Sequence, residues 1–148
     1  MRYILILLFI FCSACSSRKK LEADTNKVVM KGVMSVWANW VKDKGKKYDI
    51  QLAIENRHKG DIIIYLRDIR CLRGNSSGSL KHTFFNTGER TIDFTPNEIK
   101  EFNLVCRLHS KESGPYRIII RKVYSNPSQD GESKGEVIAE NIEWSVNL

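Results

Sequence analysis

Hydrophobic and polar residues alternate along several segments of the chain, and this pattern predicts β-strands. In residues 48–54 and 102–108 every second residue is apolar, and the residues between them are mostly polar. A period of two places alternate side chains on opposite faces of a strand, so both segments are expected to be half-buried. Residues 62–66 and 118–120 are continuous apolar runs rich in β-branched side chains, which favour central strands covered on both faces.

Glycine and proline separate these runs at intervals of about one strand plus one turn. This spacing is typical of an all-β sandwich or barrel, and no segment has the period of a long amphipathic helix. The predicted strands span residues 28–41, 46–56, 61–72, 81–86, 90–95, 99–109, 116–125 and 136–147.

The number and length of these strands resemble a single immunoglobulin-like antiparallel β-sandwich of seven or eight strands. Residues 54–56 (Ile-Glu-Asn) before a predicted turn and residues 95–98 (Thr-Pro-Asn-Glu) before a predicted strand are similar to bacterial envelope domains of that kind. The chain departs from true immunoglobulin domains because no tryptophan lies between Cys71 and Cys106. A small closed β-barrel of lipocalin type is the alternative fold, although the Gly-x-Trp opening of lipocalins is missing.

The N-terminus has the anatomy of an export signal. Arg2 and the free amine form a positive end, residues 3–12 are unbroken apolar sequence, and small residues follow. A membrane-spanning helix needs about 20 apolar residues, so this stretch is too short to be a permanent span. Residues 1–14 are therefore predicted to be a signal peptide that is removed from the mature protein.

The end of this signal, Cys-Ser-Ala-Cys at residues 12–15, resembles the lipobox of bacterial lipoproteins. In that family small residues precede a cysteine that is lipidated through sulfur and becomes the mature N-terminus. The resemblance covers residues 1–15, implies lipidation of Cys15, and departs from the pattern at Cys12, where an aliphatic residue is usual. By the sorting rules of the same family, Ser16 after the lipidated cysteine implies the outer membrane. The alternative is an ordinary secretory signal cut after Ala14, which would leave Cys15 as a free thiol.

Residues 15–26 are then expected to form the lipidated cysteine and a flexible tether, and residues 27–148 the folded domain. The tether is polar and aperiodic, as in a linker. Arg18, Lys19 and Lys20 lie beside the anchor and are expected to contact the membrane, because anionic head groups attract basic side chains.

The chain is basic overall, with 24 Lys+Arg against 17 Asp+Glu. Two further groups of basic residues, at 42–47 and at 67–73, are expected to be ordinary solvated charge that protects strand edges. The alternative is that they contact anionic lipid head groups or lipopolysaccharide phosphates in the envelope. Export argues against nucleic acid as a partner.

The remaining cysteines, Cys71 and Cys106, both fall on predicted strands of an exported protein, which favours a disulfide between them. Neither of these two cysteines belongs to a Cys-x-x-Cys motif, which would support a redox thiol instead.

No pattern in the chain points to catalysis or to a cofactor. His58, His82 and His109 share no metal-ligand spacing, and no Gly-x-Ser-x-Gly elbow occurs. The glycine-rich residues 74–79 lack the Lys-Ser or Lys-Thr of a phosphate loop and are expected to be a flexible connection. Residues 126–137 partly match a calcium loop, but its last position is Val137 instead of a bidentate glutamate, so a hairpin turn is expected there. The protein is expected to bind no metal or cofactor and not to be an enzyme.

Core packing is expected for all three tryptophans. Trp37 and Trp40 are three residues apart, so on a regular strand their side chains would face opposite sides. If one of them were exposed beside Tyr48, it would mark a binding surface, because exposed aromatic side chains are enriched at binding hot spots.

These observations favour a lipid-anchored cell-envelope protein whose β-sandwich has a non-catalytic binding or structural role, with another envelope protein as its partner. The alternative is a carrier for a lipid or another small hydrophobic ligand. An enclosed apolar cavity of about 300 Å³ or more would favour the carrier.

Overall fold

The computed structural model describes residues 18–82, 91–125 and 135–148, and most of them lie in β-strands. Two short helical segments, α1 (Ala23–Asn26) and a 3-10 turn (Leu66–Asp68), complete the regular structure of these residues. The strands are β1 (Lys19–Lys20), β2 (Val28–Met30), β3 (Met34–Asp43), β4 (Lys47–Asn56), β5 (Ile62–Tyr65), β6 (Ile69–Arg73), β7 (Ser76–His82), β8 (Thr91–Phe94), β9 (Ile99–Leu108), β10 (Tyr116–Ser125) and β11 (Val137–Val146).

The strands form one hydrogen-bonded series in the order β1-β3-β4-β9-β7-β6-β10-β5-β8, with β2 also paired to β3 and β11 to β10. Every pairing is antiparallel. Within the described residues no pairing joins the two ends of this series, so the sheet is not closed into a barrel. The all-β sandwich prediction is confirmed, and the alternative of a closed barrel does not hold.

The two halves of the series pack face to face, which makes the fold a sandwich. The hydroxyl of Tyr48 on β4 lies 3.1 Å from the carbonyl of Leu72 on β6 and 3.1 Å from that of Arg117 on β10, and its single hydrogen is shared between these two acceptors. The rings of Phe94 on β8 and Phe102 on β9 meet edge to face with centroids 6.1 Å apart. Strands that are distant in the series therefore share one hydrophobic core.

Strand β7 connects the two layers at Gly78. This residue pairs with Cys71 on β6 and with Leu108 on β9, so β7 leaves one sheet and joins the other at this point. A Cβ atom at position 78 would lie 2.7 Å from the carbonyl oxygen of Arg107, closer than van der Waals contact allows. Glycine is needed here because the neighbouring backbone approaches so closely.

Five of the eight predicted strands agree with the structure to within one residue at each end, and three need correction. Residues 28–41 are divided by a turn in which Gly32 has a φ of 72°, and residues 61–72 are divided by the 3-10 turn. The strand expected at 81–86 begins instead at Ser76, so much of the glycine-rich segment expected to be a flexible connection is β-strand. The small side chains of residues 76–79 hide the period of two, and pairing with β6 and β9 orders this backbone.

The expected boundary between tether and domain at residue 27 is also corrected. Residues 19 and 20 pair with β3, and the backbone N–H of Leu21 donates to the carbonyl of Asn39 at 2.8 Å. Asn26 is buried, with 8% of its surface exposed. The folded domain therefore includes β1, and most of the predicted tether is part of it.

Candidate functional site

Trp37 and Trp40 lie on the same outer face of the sandwich, although a regular strand would place them on opposite faces. The pairing of β3 with β4 shifts register between Ala38 and Trp40, so Trp37 is opposite Ala53 and Trp40 is opposite Gln51. Ala53 and Gln51 both face away from the core, because the β4 residues that alternate with them belong to the core cluster. The prediction of opposite faces is wrong because this β-bulge adds a residue.

The outcome for core packing differs among the tryptophans. Trp144 is fully buried in the core, as expected. Trp37 is also buried but lies outside the core cluster, and Trp40 is half-buried on the outer face. Tyr48 points into the core, so neither outer tryptophan lies beside it.

A polar network holds the outer face beside these two rings. The indole N–H of Trp37 donates to Oδ1 of Asn39 at 3.2 Å, and the amide of Asn39 donates to Glu101 at 2.8 Å and to Gln51 at 3.4 Å. The ammonium of Lys27 lies 4.6 Å from the Trp37 ring centre, in cation–π geometry. The side chain of the bulged residue Asn39 thus links β3 to β4 and β9 and fixes the aromatic surface.

A groove of about 430 Å³ opens on this outer face next to Trp40. The guanidinium of Arg18 lies 4.5 Å from the Trp40 ring centre and forms one wall. The groove crosses β3, β4 and β9, and the residues that line it are Arg18, Trp40, Asp49, Gln51, Asn103, Leu104 and Val105.

Asp49 places a carboxylate in this groove. Its Oδ2 atom accepts a hydrogen bond from the ammonium of Lys44. Its Oδ1 atom is buried, and no group within the described residues donates to it. A buried acceptor without a partner costs about 1–3 kcal/mol, so a ligand that brings a donor to this atom would gain that stabilisation. The groove therefore offers an aromatic face, a cation and an acceptor within one small area.

The turn between β3 and β4 lies beside the groove and is held by polar contacts. The carboxylate of Asp43 accepts the N–H of Gly45 at 2.7 Å and forms an ion pair with Arg73 at 2.9 Å. Burial raises the pKa of Asp43, but the hydrogen bonds from Gly45 and Tyr116 and the charge of Arg73 outweigh it, so the net shift is below the usual value. Burial also raises the pKa of Tyr116 to about 12. At neutral pH the turn is thus held by an ionised aspartate and a neutral tyrosine.

No sequence motif predicts this groove. Gln51 and Asn103 are polar positions of two alternating strands, and they lie opposite each other in the pairing of β4 with β9. The alternation was a visible signal that these side chains face outward. The pairing that brings them together and the bulge that adds Trp40 depend on contacts between distant segments.

The other residues singled out in the sequence have these positions. Cys15 lies outside the described residues, and Lys19 and Lys20 are exposed on β1. The sulfur atoms of Cys71 and Cys106 are at disulfide distance, 2.06 Å, across β7.

Two of the three histidines take part in local hydrogen bonds. Nδ1 of His58 accepts the N–H of Gly60 at 3.1 Å, and Nδ1 of His109 lies 2.7 Å from the carbonyl of Ser77. The side chain of His82 and most of the calcium-like segment lie outside the described residues. Among residues 18–82, 91–125 and 135–148, no cluster of His, Cys, Asp and Glu has the arrangement of a metal site. In the same residues no helix is long and apolar enough to cross a bilayer.

Comparison with known proteins adds a structural relative. In sequence, the chain matches no protein-family model and no curated protein. In structure it is similar to the "putative lipoprotein (ycdA)" of Bacillus subtilis subsp. subtilis str. 168, with a TM-score of 0.55 and 12% sequence identity. They share a fold. The match covers 82% of this chain and 38% of that chain, so this chain spans well under half the length of its structural relative.

Proposed function

We propose that this protein is a lipid-anchored component of a bacterial cell envelope that binds a protein partner through the outer face of its sandwich, without catalysis. The groove beside Trp40 is the observation that carries the binding role. The lipobox-like residues 12–15 support the anchor, and a structural relative described as a "putative lipoprotein" supports it further.

The chemistry of the groove favours a protein surface as the ligand. Tryptophan and arginine are the residue types most enriched at the centres of protein interfaces, and here Arg18 stacks on Trp40. The groove is open to solvent and mixes polar with apolar groups, as interface surfaces do. A backbone N–H or a basic side chain of a partner would supply the donor that Oδ1 of Asp49 lacks among the described residues.

The alternative role as a lipid carrier has less support. The interior between the two sheets is filled by one cluster of packed side chains. The groove opens to solvent and is lined by Asp49, Gln51 and Asn103, so it would leave an acyl chain in contact with water and polar groups. A bound lipid would need a more enclosed and more apolar site.

The anchor is tested in cells by the variant Cys15→Ser. We expect it to lose incorporation of a palmitate analogue and to move from the membrane to the soluble envelope fraction, because the buried acyl chains supply most of the proposed attachment. Cys12→Ser is the matched control and should remain lipidated, since Phe11 is too large for the position before the cleavage site. A Cys15→Ser protein that stays labelled and membrane-bound would contradict the anchor.

The groove is tested by placing a photo-cross-linking residue at Gln51, on the groove wall, and at Arg121, which is exposed on β10. We expect one protein adduct from position 51 and none of the same mass from position 121. Trp40→Ala should abolish the adduct while leaving the melting temperature nearly unchanged, because Trp40 is outside the core. An adduct that survives Trp40→Ala, or a lipid adduct in its place, would contradict a protein-binding groove.

A further inference from the structure

The direction of β1 determines where the N-terminal part of the chain leaves the domain. Lys20 pairs with Trp40 and Lys19 with Val41, and the strands are antiparallel. Followed backwards from Lys19, the chain therefore runs toward Asp43 and the turn between β3 and β4. It leaves the sandwich at the end formed by this turn and by the segment after β9, since the N–H of Leu108 donates to the carbonyl of Lys46.

Only a short length of chain separates this exit from Cys15. Three residue steps connect Arg18 to Cys15, and a fully extended chain covers at most about 3.6 Å per residue. The Cα atom of Cys15 must lie within about 11 Å of that of Arg18. If Cys15 is lipidated, the bilayer surface lies close to this end of the sandwich and not to the other.

Most of the exposed charged side chains at this same end of the sandwich are basic. Its exposed basic residues, which we call the basic end, are Arg18, Lys19, Lys44, Lys46, Arg107 and Lys111. Two of the acidic side chains beside them are in ion pairs, Asp43 with Arg73 and Asp49 with Lys44, and Glu112 accepts the backbone N–H of Asn75 at 2.7 Å. Lys46 and Lys111 form no ion pair with any described residue.

We propose that the basic end rests on the anionic surface of the bilayer to which the chain is anchored, so that the sandwich stands upright with the Trp40 groove opening parallel to the membrane. The chain length and the charge point independently to the same end. The lysines at 42–47 are expected from sequence to be ordinary solvated charge, with contact to anionic head groups as the alternative, and their place beside the chain exit favours that alternative. The inference rests on the proposed lipid anchor.

The orientation is tested on the full lipidated chain reconstituted into vesicles. A fluorophore is attached to a single added cysteine, Lys46→Cys at the basic end or Lys59→Cys at the opposite end, and the vesicles carry a lipid with a quencher on its head group. Both lysines are exposed in turns. The turn with Lys59 lies at the opposite end of the sandwich, because the backbone N–H of the neighbouring Arg57 donates to the carbonyl of Val33, which directly precedes β3. We expect stronger quenching at position 46 by roughly two-fold or more in vesicles rich in phosphatidylglycerol. Equal quenching, or stronger quenching at position 59, would overturn the orientation.

A charge test uses a label at Ser110→Cys, which is exposed at the basic end. The double reversal Lys46→Glu with Lys111→Glu should reduce quenching of this label by about half in phosphatidylglycerol vesicles, because the reversed charges are repelled. The matched reversal Lys31→Glu with Lys59→Glu changes the same net charge at the far end and should have no effect. Equal effects of the two pairs would overturn a specific role for the basic end. A chain that does not insert into vesicles at all would instead overturn the lipid anchor, and this inference with it.

Discussion

The indole N–H of Trp144 donates to both oxygen atoms of Asn26, at 2.9 Å to the side chain and 3.0 Å to the backbone. Asn26 in turn accepts the N–H of Ala38 at 2.7 Å and donates to its carbonyl at 3.1 Å. All three residues are buried. One amide therefore joins the N-terminal segment to β3 and to β11, the last strand of the chain, and holds residues 18–26 on the domain.

We expect Asn26→Ala to lower the free energy of unfolding by about 2–4 kcal/mol, because the buried N–H groups of Ala38 and Trp144 would lose a side-chain acceptor. Chemical denaturation measures this change. Asn147→Ala is the matched control: Asn147 is exposed, and its loss should cost less than about 0.5 kcal/mol. Trypsin should also cut faster at Lys19 and Lys20 in Asn26→Ala. Equal stability and equal cleavage in the two variants would contradict the role of this amide.

Cys71 and Cys106 are predicted to be bonded in the exported protein. Mass spectrometry of the mature chain should find neither as a free thiol. The double variant Cys71→Ala, Cys106→Ala should lose about 3–4 kcal/mol of stability, because the bond closes a loop of 35 residues and restricts the unfolded chain. Two free thiols, or a double variant as stable as the parent, would contradict the bond.

Gly78→Ala should destabilise the protein by about 1–3 kcal/mol, because the added methyl group meets the backbone of Arg107 and the sulfur of Cys106 where β7 changes sheets. Gly60→Ala provides the comparison, since a Cβ atom there has its closest contact at 3.5 Å, with the His58 ring. Melting temperatures measure both effects. If the two alanine variants melted together, the close approach at Gly78 would not limit the fold.

Asp43→Asn should cost about 0.5–1 kcal/mol at pH 7, because the amide keeps the hydrogen bond from Gly45 but loses the ion pair with Arg73. The folded state lowers the pKa of Asp43, so its stabilisation is complete above the unfolded value and is lost as pH falls through the folded value. The difference in unfolding free energy between parent and variant should therefore shrink below about pH 4. A difference that is constant from pH 7 to pH 3 would contradict an ionised Asp43 in the turn.

Local pattern predicted the strands that alternate in polarity and those that contain a continuous apolar run. The alternation at 48–54 and 102–108 corresponds to β4 and β9, and the apolar run at 118–120 lies in β10, which has partners on both sides. In β7 the signal was absent, because serine and glycine make both faces alike and only pairing with its neighbours defines the strand.

The binding surface was less predictable, because it depends on one bulge and one docked segment. A period of two assumes that each residue of a strand is paired with one residue of its neighbour. The β-bulge before Trp40 inserts an unpaired residue, and no sequence motif marks its position. The polar composition of residues 16–26 favours a linker, yet buried hydrogen bonds from Asn26 hold the later part on the domain and bring Arg18 to Trp40. Tertiary contacts decided both features.

The shortness of β1 has a mechanical consequence. Only two residue pairs hold β1 to β3, whereas Asn26 is held by buried bonds to two strands. Tension between a membrane anchor and a bound partner would first separate β1 from β3. This separation would stop at Asn26. The released residues, 19–25, would then span at most about 23 Å, at an extended length per residue of about 3.3 Å. The N-terminal segment would thus act as a short linker that extends under tension while the sandwich stays folded.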